Sequence, residues 1–215
     1  MDQILSDHER SRFDGLIVQA EKRTDTQIVL AVIKRSDSYT ELPWKAFALG
    51  ASVAGLLIFI LGFPFYDWSS RVLAPIAVTV TLAGGAVFAL LTVFFPGFAK
   101  RFLSAHRAEM EVQQYAESLF LARELFATSR RTGVLMLISL FERQVILLPD
   151  TGLNDRLNAD TMQNIIVKMT SFLKRNETNQ ALEAGLERLS GILETGAQES
   201  GENELSNEII EKNGI

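Results

Sequence analysis

Residues 46–65 read AFALGASVAGLLIFILGFPF, and residues 72–95 read VLAPIAVTVTLAGGAVFALLTVFF. Neither segment contains a charged side chain. A helix that crosses a hydrocarbon core of about 30 Å needs roughly 20 apolar residues, and both segments reach this length. They are separated only by residues 66–71. The pattern predicts a transmembrane hairpin over residues 46–96, with spans at about residues 46–65 and 72–95.

Small residues recur at every fourth position of both apolar segments. Such spacing puts them on one face of a helix, where two backbones can approach closely. We therefore expect the two helices to pack on each other, although the same face could instead bind another membrane protein. Neither segment contains a titratable residue that could relay ions or protons. The small residues are Ala46, Gly50 and Ala54 in the first segment and Ala77, Thr81, Gly85 and Ala89 in the second.

The distribution of lysine and arginine around the hairpin predicts its orientation. Only Arg71 lies between the spans, whereas both outer flanks carry several cations, and cationic flanks stay in the cytoplasm. The first residues lack the pattern of a signal sequence. We expect a multi-pass protein of the cell inner membrane with both termini cytoplasmic, in contact with the lipid bilayer and with other membrane proteins. The flanking cations are Lys34, Arg35 and Lys45 before the hairpin and Lys100, Arg101 and Arg107 after it.

The first part of an α/β domain is predicted before the hairpin, at residues 1–45. Ser6 and Glu9 have the spacing of a capping box, so a helix should run from there to about Glu21. Residues 26–33, TQIVLAVI, have the apolar run of a buried strand. A chain of about 40 residues rarely folds alone, so this strand needs partners from elsewhere.

The second part of the domain is predicted at residues 97–195. Apolar periodicity indicates a long helix at about 102–127 and two later helices at about 160–174 and 178–193. Two strands, 134–140 and 144–148, lie close enough in sequence to form an antiparallel pair. Pairing the early strand with residues 134–140 gives a small central β-sheet flanked by helices, an α/β fold interrupted by the hairpin. Residues 196–215, rich in Glu, Ser, Asn and Gly, predict a disordered acidic tail.

Composition excludes several kinds of chemistry. The chain has no cysteine, so it has no disulfide, thiol nucleophile or cysteine zinc site. Its net charge of −5 and lack of a basic run exclude nucleic acid as an expected partner. The phosphate-loop, HExxH, GxSxG and GxGxxG motifs are absent. His8 and His106 lie on charged helices and are expected at the surface.

Two groups of residues remain as candidate sites. Asp150, Asp155 and Asp160 follow the end of a strand, where α/β sheets often bind ligands, and their oxygens would suit Ca2+ or Mg2+. We favour the alternative in which Asp150 belongs to a turn and Asp160 caps a helix. Glu142 and Arg143 could bind a partner, although two charges between strands more often form a solvated turn.

Several of these segments resemble the TPM domain family, also called TPM phosphatase domains. The resemblance, to a bacterial type that contains a membrane hairpin, implies a central sheet flanked by helices. Relatives include acid phosphatases, binders of divalent cations such as calcium, and proteins of photosystem repair. One departure is Arg131, which stands where the family has an aspartate that would attract a metal. The resemblance rests on Glu21, Thr24 and Gln27 before the hairpin, on Phe126, Thr128 and Gly133–Ser139, and on residues 142–145 and 153–193 after it.

Two functional classes follow from these patterns. The preferred one is a non-enzymatic, membrane-anchored module that binds proteins at the cytoplasmic face, in membrane-protein assembly or maintenance. The alternative, implied by the resemblance and the aspartates, is an acid phosphatase that depends on a divalent metal.

Overall fold

The computed structural model describes residues 4–62, 73–194 and 209–212. The chain forms two compact units, one of Met1–Asp37 and Glu109–Ile215 and the other of Ser38–Ala108. The helices are α1 Asp7–Thr24, α2 Glu41–Gly62, α3 Leu73–Phe94, α4 Pro96–Ala99, α5 Ala105–Ala122, α6 Ala159–Lys174 and α7 Thr178–Glu194, and the strands are β1 Gln27–Ile33, β2 Gly133–Ser139, β3 Gln144–Pro149 and β4 Ile210–Lys212.

The described strands of the first unit form one mixed sheet in the order β3-β2-β1-β4. β1 pairs with β2 in parallel along its whole length, from Gln27 opposite Gly133 to Ile33 opposite Ser139. β2 and β3 are antiparallel, as their short connection requires. The prediction that the strand before the hairpin pairs with a strand after it is therefore confirmed.

Helices cover both faces of the sheet, which makes the unit a three-layer α/β domain as predicted. All residues of β1 and β2 are buried, which explains their continuous apolar runs. α1, α6 and α7 pack on one face through residues such as Phe13, Met169 and Leu186. α5 packs on the other face through Val112 and Ala116.

The start of α1 has the predicted capping box. Ser6 accepts a hydrogen bond from the backbone N–H of Glu9, and the Glu9 carboxylate accepts one from the backbone N–H of Ser6. The bond from the Ser6 backbone is the main cause that lowers the pKa of the Glu9 carboxyl below its usual value, followed by a bond from the Ser6 hydroxyl. The helix continues to Thr24, three residues beyond the predicted end.

The single helix predicted over residues 102–127 is wrong at both ends. Ser104 starts a new helix, because its hydroxyl accepts the backbone N–H of Arg107 at 3.3 Å. At the other end Glu124 adopts a left-handed conformation, φ 53°, which breaks the α-helical path before a short 3-10 turn, Leu125–Ala127. Local breaks of this kind depend on backbone geometry, which apolar periodicity does not report.

The predicted disordered tail is wrong for residues 209–212. Ile210–Lys212 form β4, which pairs in parallel with the last three residues of β1. Ile209 and Ile210 are both buried, one on each face of the sheet, so burial of two aliphatic side chains stabilises the strand. The acidic composition of the whole tail hides this pair. The remaining tail residues, 195–208 and 213–215, lie outside the described residues.

In the unit Ser38–Ala108, α2 and α3 are long and apolar enough to cross a membrane. α2 starts at Glu41, before the predicted span, and residues 63–72 lie outside the described part. The two helices run antiparallel, because Phe47 faces Gly85 whereas Gly55 faces Thr81.

Small residues bring the two backbones of the hairpin together, as predicted. A Cβ added at Gly50 would lie 2.6 Å from the carbonyl oxygen of Gly84 and 2.8 Å from Phe88. A Cβ at Gly84 would lie 2.8 Å from that of Ala54. The expectation that this face serves self-packing is confirmed at Gly50, Ala54, Thr81 and Gly85.

Candidate functional site

Polar residues gather where β1 and β2 begin and β3 ends. We call Asp25, Arg130, Arg131 and Asp150 the Arg–Asp edge. β3 runs antiparallel to β2, so the residue that follows β3 lies beside the amino ends of the parallel strands. The sequence argument placed Asp150 at the carboxyl ends of strands, and the topology corrects this placement.

Backbone hydrogen bonds fix the segments of this edge against one another. The N–H of Gln27 donates to the carbonyl oxygen of Thr132 at 3.2 Å, and the N–H of Asp150 donates to that of Gly133 at 2.8 Å. The N–H of Gly152 donates to the carbonyl oxygen of Arg131 at 2.9 Å. A Cβ at Gly152 would lie 2.3 Å from the carbonyl oxygen of Arg130, so only glycine fits this close approach.

Two consecutive arginines each form an ion pair with an aspartate on a different neighbouring segment. The distance from Arg131 Nε to Asp150 Oδ2 is 2.9 Å, and that from Arg130 Nη1 to Asp25 Oδ2 is 2.6 Å. The Asp150 side chain is only 3% exposed, whereas that of Arg131 is 49% exposed. Asp150 also accepts the backbone N–H of Thr151 at 2.7 Å. The buried carboxylate therefore already has a cation and a backbone donor beside it.

The predicted metal ligands do not come together. Asp155 and Asp160 are exposed, and within residues 4–62, 73–194 and 209–212 no three histidine or carboxylate side chains form a group that could hold a metal ion. The guanidinium of Arg131 lies beside Asp150 and compensates its negative charge. The structure therefore does not bring the three aspartates together as ligands of one calcium or magnesium ion.

The structural roles proposed for these aspartates are half right. Asp150 caps the short 3-10 turn Thr151–Leu153. The cap of α6 is Asn158, whose Oδ1 accepts the backbone N–H of Thr161 at 2.9 Å, and Asp160 lies inside the first turn. Asparagine and aspartate are equally good caps, so sequence alone did not distinguish the two positions.

The cap assignment predicts unequal effects of two neighbouring alanine substitutions. Asn158→Ala should lower the free energy of unfolding by about 1 kcal/mol, because an N–H of α6 loses its partner. Asp160→Ala, the matched control, should cost about 0.3 kcal/mol, the low end of the helix-dipole effect, because Asp160 is exposed and caps no N–H. Urea unfolding of the detergent-solubilised protein followed by circular dichroism measures both, and a larger loss for Asp160→Ala would contradict the assignment.

Glu142 and Arg143, the predicted partner-binding pair, have different surroundings. Glu142 Oε1 accepts the backbone N–H of Ser36 at 3.0 Å and its hydroxyl at 2.8 Å, and Oε2 accepts the hydroxyl of Ser139. Glu142 thus ties the loop after β1 to the end of β2. Arg143 is exposed and donates to Oδ1 of Asn176 at 3.2 Å. These contacts of Glu142 are internal, and partner binding by Glu142 and Arg143 stays a prediction.

The fold and the Arg–Asp edge define a protein class: an α/β domain with a mixed sheet and an apolar helical hairpin inserted after its first strand. Residues 101–192 match the family model described as the TPM domain, so the resemblance to this family is confirmed over that segment. The match begins after the hairpin, and α1 and β1 lie outside it.

A solved structure shares the fold over the whole chain. The NMR structure of BA42 protein from the psychrophilic bacterium Bizionia argentinensis is 15% identical, with a TM-score of 0.59. The likeness covers 99% of this chain and 98% of that chain. At this identity it supports the fold alone. The search of curated proteins found no match.

Proposed function

We propose that this protein is a membrane-anchored interaction module. In this proposal the hairpin of α2 and α3 holds the TPM-type α/β domain at the cytoplasmic face of the inner membrane. There the domain binds proteins during membrane-protein assembly or maintenance.

The observation that carries the proposal is the apolar outer surface of the hairpin. In the most apolar window of each helix only 11% of the residues are buried, whereas a core helix of a water-soluble protein would be mostly buried. A continuous apolar surface of this kind supports placing the hairpin in a nonpolar environment such as a bilayer. Exposed large side chains include Leu56, Leu57, Phe59 and Ile60 on α2 and Val78, Leu82, Val87 and Leu90 on α3.

The hydroxyl groups within the hairpin support the same assignment. In a hydrocarbon environment each polar group needs an internal partner. The hydroxyls of Ser52, Thr79, Thr81 and Thr92 each donate to a carbonyl oxygen three or four residues earlier, at 2.7–2.8 Å. These four residues therefore need no water.

The choice of binding over catalysis rests on the Arg–Asp edge. Metal-dependent phosphatases use several oxygen ligands to position divalent cations. At this edge the buried carboxylate of Asp150 is instead compensated by Arg131. An interaction role is consistent with this arrangement and needs no metal.

Membrane attachment is tested by washing native membranes with alkaline carbonate. We expect the protein to stay in the pellet, because it is held by two apolar spans. Recovery in the supernatant would contradict the anchor. A reporter that is active only in the periplasm, fused at the C-terminus, should be inactive, and its activity there would overturn the orientation.

The phosphatase alternative is tested with purified protein in detergent and a generic phosphomonoester, with and without Mg2+ or Ca2+. We expect no turnover above the buffer rate. Turnover that Asp150→Asn abolishes and Asp155→Asn preserves would establish the alternative. Cross-linking in native membranes should recover other membrane proteins with the chain, and repeated recovery of the chain alone would contradict the interaction role.

A further inference from the structure

The edge of β1 that faces β4 offers a short stretch of backbone for strand pairing. We call this edge, from Ile28 to Ile33, the groove. β4 pairs only with Ala31, Val32 and Ile33. Further back along β1, the N–H of Gln27 points to β2, since it donates to Thr132, so the N–H of Ile28 points to the β4 side. That N–H donates to the carboxylate of Glu21 at 2.9 Å. Glu21 thus bounds the groove at Ile28, and β4 pairs with the last three residues of β1 beyond it.

The groove recognises its occupant through two apolar contacts and one carboxylate contact. Ile209 packs in the core on the α1 side and Ile210 in the core on the α5 side. Both residues are 5% exposed. Successive side chains of a strand point to opposite faces, so an aliphatic pair fills both positions.

The carboxylate of Glu211 is bound by three donors near the N-terminus. It accepts the backbone N–H of Ile4 at 3.3 Å and that of Leu5 at 3.2 Å. Arg10 Nη2 lies 3.2 Å from Oε2, and the Glu211 side chain is 9% exposed. Two amides and a guanidinium around one partly buried carboxylate form a specific anion contact.

We infer that this groove is a peptide-binding site that the chain's own residues 209–212 occupy in the free protein. Its external ligand is an extended segment of a partner protein that has two aliphatic residues followed by Glu or Asp. Such a segment adds to the edge of β1 as β4 does. The inference rests on the interaction role proposed above and supplies the class of partner.

The resident strand is short enough to be exchanged. It contributes three paired residues, and its advantage over a free peptide is the effective concentration of a tethered segment, on the order of millimolar. A partner segment of the same chemistry that is itself held at the membrane surface has a similar advantage. Exchange between the two therefore requires no other change in the sheet.

The test uses the full chain in detergent with Ile209→Asp and Ile210→Asp, which releases the resident strand. The probe is a fluorescein-labelled peptide with the sequence of residues 207–213, NEIIEKN, and binding is read by fluorescence anisotropy. We expect saturable binding that is about tenfold or more tighter than to the unmodified chain, because the resident strand no longer competes. A peptide with Gln in place of its second Glu should bind about tenfold more weakly.

Circular dichroism shows whether the double variant is folded. If it is not, Glu211→Ala weakens the resident strand while keeping the aliphatic pair, and it should bind the probe more tightly than the unmodified chain. Absence of saturable binding to a folded variant, or equal affinity for the Gln peptide, would overturn the inference. The peptide assay contains no membrane, so it is independent of the cross-linking experiment in native membranes. If the probe binds but no partner is cross-linked, only the interaction role is contradicted. If partners are cross-linked but the probe does not bind, only the assignment of the groove as a peptide-binding site is contradicted.

Discussion

Gly133→Ala should destabilise the α/β domain by at least about 3 kcal/mol, at or beyond the upper end of usual overpacking costs. A Cβ at Gly133 would lie 2.3 Å from the carbonyl oxygen of Leu125 and 3.2 Å from its Cβ. Because the contact is with the backbone of Leu125, a change of side-chain rotamer cannot relieve it. Leu125 is also fully buried, so its backbone has little room to move away. Urea unfolding in detergent, followed by circular dichroism, measures the loss.

Gly15→Ala is the matched control for this substitution. Gly15 lies within α1 and has no atom within 4 Å of the added Cβ. Alanine favours a helix interior by roughly 0.5–1 kcal/mol over glycine, so this variant should be slightly more stable than the unmodified protein. Equal stability of the Gly133 and Gly15 variants would show that the close approach of β2 to Leu125 is wrong.

Gly50→Leu should separate the two helices of the hairpin. The two backbones are so close that a Cβ added at Gly50 would lie 2.6 Å from the carbonyl oxygen of Gly84. In the proposed membrane setting, lipid supplies no hydrophobic force to restore this contact. The chain has no cysteine, so an introduced pair, Gly55→Cys with Thr81→Cys, reports the helix distance through disulfide formation. We expect this disulfide to form at least roughly tenfold more slowly in the Gly50→Leu background.

Gly97→Leu provides the same change at a position with open space, because no atom lies within 4 Å of a Cβ there. It should leave the rate of disulfide formation unchanged. If Gly50→Leu also leaves that rate unchanged, the two helices do not pack through this face.

The elements that the sequence predicted well are those with local causes. The length and lack of charge of the apolar segments 46–65 and 72–95 can be read directly from the local sequence. β1 and β2 have long aliphatic runs because both of their faces are covered. Their pairing across the hairpin was predicted because the single helix and strand before the hairpin are too short to fold alone, so β1 needs a partner from elsewhere in the chain.

The contacts that the sequence missed join residues far apart in the chain. Glu142 binds Ser36, and Glu211 binds the backbone of Ile4 and Leu5. β4 has too few residues for an alternating pattern, so it was hidden in an acidic tail. No local signal reveals such ties, because each depends on the topology of the finished sheet.

The candidate site required the same topological information. Spacing alone grouped Asp150 with Asp155 and Asp160, since all three follow one strand. The antiparallel course of β3 instead brings Asp150 to the loop before β2, where it meets Arg131. The cation that the sequence identified as a departure from the family is the residue that compensates this carboxylate.

The most direct test of the inserted hairpin is the amide NMR spectrum of two chains made without it. One joins residues 1–37 to residues 105–215 through a Gly-Ser linker of about 20 residues, which spans roughly 25 Å, and the other contains residues 105–215 alone. If the hairpin interrupts one α/β domain, the joined chain gives a dispersed spectrum and the shorter chain does not, because its β2 lacks β1. A dispersed spectrum from residues 105–215 alone would contradict this and make the hairpin an anchor that precedes a complete domain.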